Sequence, residues 1–298
     1  MRKSTKVWLI IAASLLLIGA GIFTAMLQRS NWDLATLSTI EYTSNTYTSL
    51  DQIQDISIDT ETADIRFLYA ESDCIKIVCY EMEKAQHLVS FNGGKLVIEQ
   101  DDRRLWYDHI GINFDTPKIT IYLPKNEYGS LAINITTGDI SIPSDFTFES
   151  ITIEGTTCDA SLSASTTGTL TVKTTTGDVN IANAEFGSVA LLATTGDMAL
   201  TNVKSEIIYT SGSTGDISLT NVIAEKKLNI TRTTGDVKFK DSDADSIYIQ
   251  VDTGDITGNL LTGKIFAVET STGKVSVPEN TPGGTCVITT TTGNINIT

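Results

Sequence analysis

This sequence is short of the side chains most enzymes use and short of positive charge. Its 298 residues include two histidines, His87 and His109. Neither stands at a spacing from a serine or cysteine that suggests a nucleophile and its base. No phosphate loop or dinucleotide fingerprint occurs, so no cofactor is expected. Lys and Arg number 21 against 36 Asp and Glu, a formal net charge of −15. The first 27 residues hold Arg2, Lys3 and Lys6 and no acid, so the remainder carries the whole acidic excess. An acidic body repels phosphates, which argues against nucleic acid as a partner; its plain meaning is solubility. Cysteine is scarce too. Cys74 and Cys79 lie five apart in the strand-like "CIKIVC", on opposite faces, which argues against a bridge between them. With Cys158 and Cys286 they are expected as free, buried thiols.

What the chain does have begins with Val7 to Leu27, 21 residues without a charge. As a helix this spans roughly 30 Å, the thickness of a bilayer's hydrocarbon core. Residues 1–6 form a basic tail that the positive-inside bias keeps cytoplasmic, leaving the C-terminal body extracellular. A cleaved signal peptide shares the basic start and apolar core, but no small-x-small site follows and the run is long for one. An uncleaved single-pass anchor through residues 7–27 is therefore expected. Residues 28–50, rich in Ser and Thr, read as a juxtamembrane linker, with Trp32 placed for the outer membrane interface.

The dominant feature is a repeat. Thr-Gly motifs recur with glycines at Gly138, Gly177, Gly196, Gly215, Gly235, Gly254, Gly273 and Gly293, and Cys158 fills the vacant place. The successive spacings are 20, 19, 19, 19, 20, 19, 19 and 20 residues. A fixed period of this length is the mark of stacked repeats. Apolar residues keep register, two and four after the glycine (Val179/Ile181, Met198/Leu200) and seven and five before it (Leu170/Val172, Phe266/Val268). Each cycle thus holds two short strands with one buried face each. The inward phase changes at the glycine, which demands a corner where positive φ is cheap. An all-β fold follows: a β-solenoid of coils about 19–20 residues long over residues 131–298, the alternative being an antiparallel β-sandwich. Lys274 and Asn294, which replace the motif's Asp, mark the weak last cycles.

An Asp follows the motif position in seven consecutive cycles, and stacking puts these acids roughly 4.8 Å apart. Neighbours then repel by roughly 1 kcal/mol in water-like dielectric. An Asx-type turn, each carboxylate accepting corner N–H groups, offsets this. The sharper alternative is calcium bridging coils through Asp178, Asp197, Asp216 and Asp236, although calcium wants six to eight oxygens. Asn183, Asn202 and Asn221 fall six after their glycines and suggest a second corner ladder. Paired threonines before the glycines form hydroxyl rows, explained by β-propensity; a flat array of this kind also suits ice or carbohydrate.

Residues 51–130 read as an irregular β segment, with a degenerate motif at Ala63-Asp64. Its loop "DDRRLWYDHIGINFDTP" matches neither the period nor a strand. Arg103, Arg104, Trp106, Tyr107 and His109 gather there, the residue types that anchor binding surfaces. The competing explanation is that Trp106 caps the N-terminal end of the core. An N-terminal anchor, "ITIYLPKNEYGSLAINITTGDI" and then iterated TTGD motifs resemble the bacterial putative-adhesin family that includes LiaG-like envelope proteins. The resemblance covers residues 53–298. It implies a membrane-associated β-repeat module linked to surface interaction or envelope stress, with no catalytic motif to carry over. The expected partners are the lipid bilayer and a cell-surface glycan or envelope protein. Two other functions stay open: a glycan-acting solenoid enzyme with converging carboxylates, and an accessory subunit whose helix, with Ala13, Gly19, Ala20 and Gly21, packs in a membrane signalling complex.

Overall fold

The computed structural model of the chain describes residues 3–29, 31–32, 41–109 and 115–298. Met1 and Arg2 of the basic tail, residues 30 and 33–40 of the expected linker and residues 110–114 of the loop lie outside the described residues. Helix α1 (Lys3–Arg29) is long and apolar enough to cross a membrane.

The rest is strand. The segment expected to be linker through residue 50 carries β1 (Tyr42–Ser49). Then come β2 (Asp55–Thr62), β3 (Asp64–Tyr69), β4 (Ile75–Met82), β5 (Ala85–Asn92), β6 (Lys95–Asp102) and β7 (Lys118–Leu123). Strands β8 (Glu127–Thr137), β9 (Ile140–Ile142), β10 (Thr147–Thr157), β11 (Ala160–Leu162), β12 (Ser165–Thr166) and β13 (Thr169–Thr176) begin the regular coils. The long β14 (Val179–Thr195), β15 (Met198–Thr214) and β16 (Ile217–Thr234) each run around a corner asparagine, and β17 (Val237–Thr253) around Asp241. The chain ends with β18 (Ile256–Leu260), β19 (Lys264–Thr272), β20 (Val275–Ser276), β21 (Gly284–Thr292) and β22 (Ile295–Ile297).

Successive coils pair in parallel and in register, Val179 beside Met198 and Met198 beside Ile217, so the molecule is a β-solenoid. Inward residues such as Leu191, Leu200, Ile217 and Leu228 are fully buried and make one continuous core. Spread over many coils, this burial is the main stabilising term, at roughly 25 cal/mol per Å² of apolar surface.

The corners behave as their glycines require. Gly215 has φ 127°, and a Cβ there would lie 2.1 Å from the Gly196 carbonyl oxygen of the neighbouring coil. At the opposite corner Asn183, Asn202 and Asn221 hold φ of 52–56°. Their amides form the expected ladder, Asn202 donating to Asn183 at 2.7 Å and Asn221 to Asn202 at 2.9 Å. Cys158 turns its corner without positive φ. Its buried side chain folds inward beneath Gly155, where a Cβ would come within 2.6 Å of it.

Coil order departs from chain order at both ends. Strands β2 and β3 lie between the pair β6/β7 and the pair β8/β9. The parallel stack therefore starts before residue 131. Beyond it, β5 runs antiparallel to β6, β4 antiparallel to β7 and β1 antiparallel to β4, covering the N-terminal end of the core. At the other end β21 inserts between β17 and β19, and β22 between β18 and β20. The outermost coil is the one around Gly273. This explains why Phe266 and Val268, expected inward, are only half-buried and why Val275 is exposed.

All four cysteines are free. Cys79, Cys158 and Cys286 are buried, and burial pushes each thiol up to about 12. Cys74 is half-buried at the edge of β4 and departs from the expectation of four buried thiols.

Gly215→Ala should cost about 3 kcal/mol or more in urea unfolding, from strain plus backbone overlap. Gly93→Ala, at φ 59° but with nothing within 4 Å of its Cβ position, should cost only about 1 kcal/mol. In the native protein a thiol reagent at mildly alkaline pH should consume one thiol, Cys74, and reach the other three only after denaturation.

Candidate functional site

The loop expected to carry function stands where a Gly-Asp corner would be. Strand β6 ends at Asp102 and β7 begins at Lys118, in register with the Ala63-Asp64 corner of the next coil; Asp64 N–H donates to the Pro117 carbonyl at 2.8 Å. The loop is thus a corner insertion, held at both feet by paired strands. Arg103 pairs with Asp101. Arg104 forks onto Asp102, with Glu61 3.5 Å away, and is mostly buried. Its guanidinium pKa is raised, chiefly by the hydrogen bond to Asp102. Lys84 pairs with Asp108 at 2.6 Å, and Asp108 in turn accepts Leu105 N–H at 2.9 Å, closing the 3₁₀ turn Trp106–His109.

With the charges occupied, the aromatic residues are left for solvent. Trp106 is 77% exposed and Tyr107 50% exposed, their rings edge-to-face at 5.8 Å. Trp106 therefore does not cap the core; the antiparallel strands β4 and β5 do that. The side chain of His109 lies outside the described residues.

Asp178, Asp197, Asp216 and Asp236 are brought into one row, one per coil, and do not converge on a point. Each carboxylate Oδ1 accepts the backbone N–H of the Asp in the next coil, at 2.7–2.9 Å from Asp178 through Asp255. The bond runs between coils, rather than within a corner as expected. Lys238 sits 3.5 Å from both Asp216 and Asp236, and the buried Arg232 guanidinium acts on Asp197 and Asp216. Protein cations thus answer part of the charge that calcium would neutralise. The row is broken only beside Cys158: among the described residues no such bond joins Asp159 to Asp139. The Asp139 carboxyl is raised above the usual range by burial and then by Asp64 and Asp159.

One polar cluster escaped the sequence reading. Cys79 and Glu81 on β4 and His87 on β5 present ligand-type atoms within 4.8 Å of one another, all buried. His87 Nδ1 meets Glu81 Oε2 at 2.7 Å and Nε2 meets Thr60 Oγ1 at 2.9 Å, a hydroxyl–imidazole–carboxylate chain. Its members are buried to within 3% of full burial, so no substrate reaches the hydroxyl. Glu81 also accepts His87 N–H at 2.7 Å and an Asn45 amide proton at 2.6 Å. A metal would have to displace these bonds. The arrangement serves as a satisfied polar plug that joins β1, β2, β4 and β5 at the capped end. The signal for it was a Glu two residues after Cys79, on the inward face of a strand.

No curated protein matches the chain. Among solved structures, a putative adhesin from Bacteroides fragilis superposes with a TM-score of 0.50 at 16% identity, covering 87% of this chain and 97% of that one. A putative adhesin and a putative lipid binding protein, both from Parabacteroides distasonis, give TM-scores of 0.47 and 0.45 at 12% identity, covering 87% and 88% of this chain and 98% of each. The family model for Toastrack DUF4097 matches residues 53–212 and 202–298, nearly all of the strand-forming body, and the chain belongs to that family.

Proposed function

We propose that this chain is a non-catalytic surface module, anchored in the membrane by residues 7–27 with its body outside the cell. It engages a cell-surface glycan or an envelope protein through the 103–109 loop. One observation carries the reading. Two large aromatic side chains, Trp106 and Tyr107, stand exposed on a turn whose charged residues are tied down by ion pairs. Aromatic anchors on a preorganised turn lose little conformational freedom on binding. The anchor reading is supported by the exposed apolar surface of α1 and by Arg2, Lys3 and Lys6 ahead of its uncharged run. The solenoid supplies a rigid support, and the adhesin names of the structural neighbours fit the same role.

Labelled full-length protein in nanodiscs should bind whole cells or purified envelope fractions saturably. The Trp106→Ala/Tyr107→Ala double variant should lose about tenfold or more in affinity while its unfolding free energy stays within about 0.5 kcal/mol of the parent. Equal binding by the two proteins would remove the loop from the interface, and no binding to any fraction would sink the module reading.

A further inference from the structure

The flat face built by the strands before each Gly-Asp corner breaks its own pattern in the middle of the stack. Five residues before the glycine the inward position is Leu191, Thr210, Ile230 and Ile249 on successive coils; Thr210 is fully buried and its hydroxyl has no partner. Three before the glycine, Ala193 and Gly212 leave room for Arg232, which is 1% exposed. A Cβ on Gly212 would lie 2.1 Å from Arg232 Nη1. The guanidinium reaches back across two coils to donate to the carbonyls of Ala193 at 3.3 Å and Gly196 at 3.2 Å, leaving Nε unpartnered. Asn229 Oδ1, on the outward side, is likewise buried and unpartnered. Unsatisfied buried groups are rare, and these three sit on two adjacent coils. Local departures of this kind concentrate where a structure has a use for them.

Next to them lies an open groove of about 670 Å³ whose lining includes Ser211, Gly212, Ser213, Thr231 and Thr233. Beside this lining and outside it, on the same outward face, Tyr209, Asn229 and Tyr248 stand side by side on three successive coils and form one flank of the groove's C-terminal end. Tyr209 is 37% exposed, and Tyr248 donates its hydroxyl proton to Gln250 Oε1 at 2.8 Å.

The chemistry of this surface selects among ligands. Its strands are paired on both sides, so no free edge exists for a peptide strand. Hydroxyls dominate the lining, which gives a lipid chain little apolar surface. The charged residues of the lining, Lys173 and Glu154, pair with each other at 2.8 Å, and Asp197 and Asp216 face the buried Arg232 behind it, so the groove does not select an anion. Hydroxyls that both donate and accept, beside amphipathic tyrosine rings, suit a polyol with apolar C–H faces. We propose that the groove binds a neutral β-1,4-linked glycan strand lying along the stack. Its hydroxyls would meet Ser211, Ser213, Thr231 and Thr233, and its rings would rest on Tyr209 and Tyr248. Two coils separate the tyrosines by roughly 9.6 Å, and alternate rings of such a glycan present the same face, so both tyrosines meet equivalent faces. This adds a second site and a ligand class to the surface-module reading and rests on it.

The test is calorimetric titration of the full chain in nanodiscs with the hexasaccharide of β-1,4-linked N-acetylglucosamine. Tyr209→Ala/Tyr248→Ala removes the rings. Ser213→Leu obstructs the groove from an exposed position and so leaves the core intact. Both should bind about tenfold more weakly or worse, with melting temperatures near the parent's, while Trp106→Ala/Tyr107→Ala binds the hexasaccharide normally. Absence of binding by the parent, or binding that both groove variants retain, overturns the proposal. If the parent ignores the hexasaccharide yet still binds cells through the loop, the groove proposal falls and the module reading stands. Cell binding lost in the groove variants without hexasaccharide binding would assign the groove to a protein partner and overturn the glycan.

Discussion

The bond from an Asp carboxylate in one coil to the Asp N–H of the next holds the stack at its sharpest bend. At a Gly-Asp corner the chain reverses direction within a few residues, and its backbone groups must find partners along the stack axis. The glycine N–H reaches the Thr carbonyl of the neighbouring coil at about 3.0 Å, and the Asp side chain takes the N–H beside it. A charge-assisted hydrogen bond contributes about 1.5–3 kcal/mol net, against roughly 1 kcal/mol of repulsion between neighbouring carboxylates in water-like dielectric. The bond wins as long as the corner stays wet, and the exposure of the row keeps it so. Any residue that supplies the same oxygen serves: Asn294 accepts the Lys274 N–H at 3.1 Å. As a rule a residue with no acceptor stands where no coil follows, as Lys274 does on the outermost coil.

That last rule accounts for what was and was not legible in the sequence. The period, the corner glycines, the asparagine ladder and the inward residues of the middle coils are all properties of a single coil repeated, and a one-dimensional pattern records them. Coil order is a relation between coils of equal register, and periodicity is blind to it. The clue lay in chemistry. Lys274 cannot accept a following coil's N–H and Asn294 can, so Asn294 belongs inside and Lys274 at the end. Strand β1 looks like linker in the sequence because Ser and Thr dominate it; as an edge strand with every side chain half-exposed or exposed, Tyr42–Ser49 needs no apolar face. The Cys79–Glu81–His87 plug was missed because its third member comes from the next strand.

Inverting the order at each end has a mechanical consequence. In a simple stack the last coil meets one neighbour and frays first. Here β21 and β22, the C-terminal strands, lie between two coils. These strands are therefore held on both sides, and the coil left outside is tethered by the strands that precede and follow it. At the opposite pole β2 and β3 are clamped in the same way beneath β6 and β7, whose corner is the aromatic loop. The loop thus rests on a coil whose inner neighbour is gripped from both sides. An aromatic pair that is to bind without first being ordered needs a support of this kind.

In a scaffold of near-identical coils, identity at a position carries little information for a ligand, because every coil offers the same groups. Recognition has to come from departures, and the departures here fall into two kinds. Cys158, Ala63 and Lys274 alter the corner while keeping its backbone bonds along the stack, though the Asp-to-Asp bond is lost beside Cys158; each is explained by packing or by its place in the stack. The corner insertion at residues 103–117 and the polar interruption at Thr210, Gly212 and Arg232 do not improve packing. Among the described residues, the latter introduces buried atoms without partners, Thr210 Oγ1 and Arg232 Nε, where flanking coils place Leu191, Ala193, Ile249 and Val251. A fold whose stability is summed over many similar coils tolerates such local cost, because neighbouring coils maintain the register on either side. The same additivity that made the architecture readable from its period leaves individual coils free to be spent on binding.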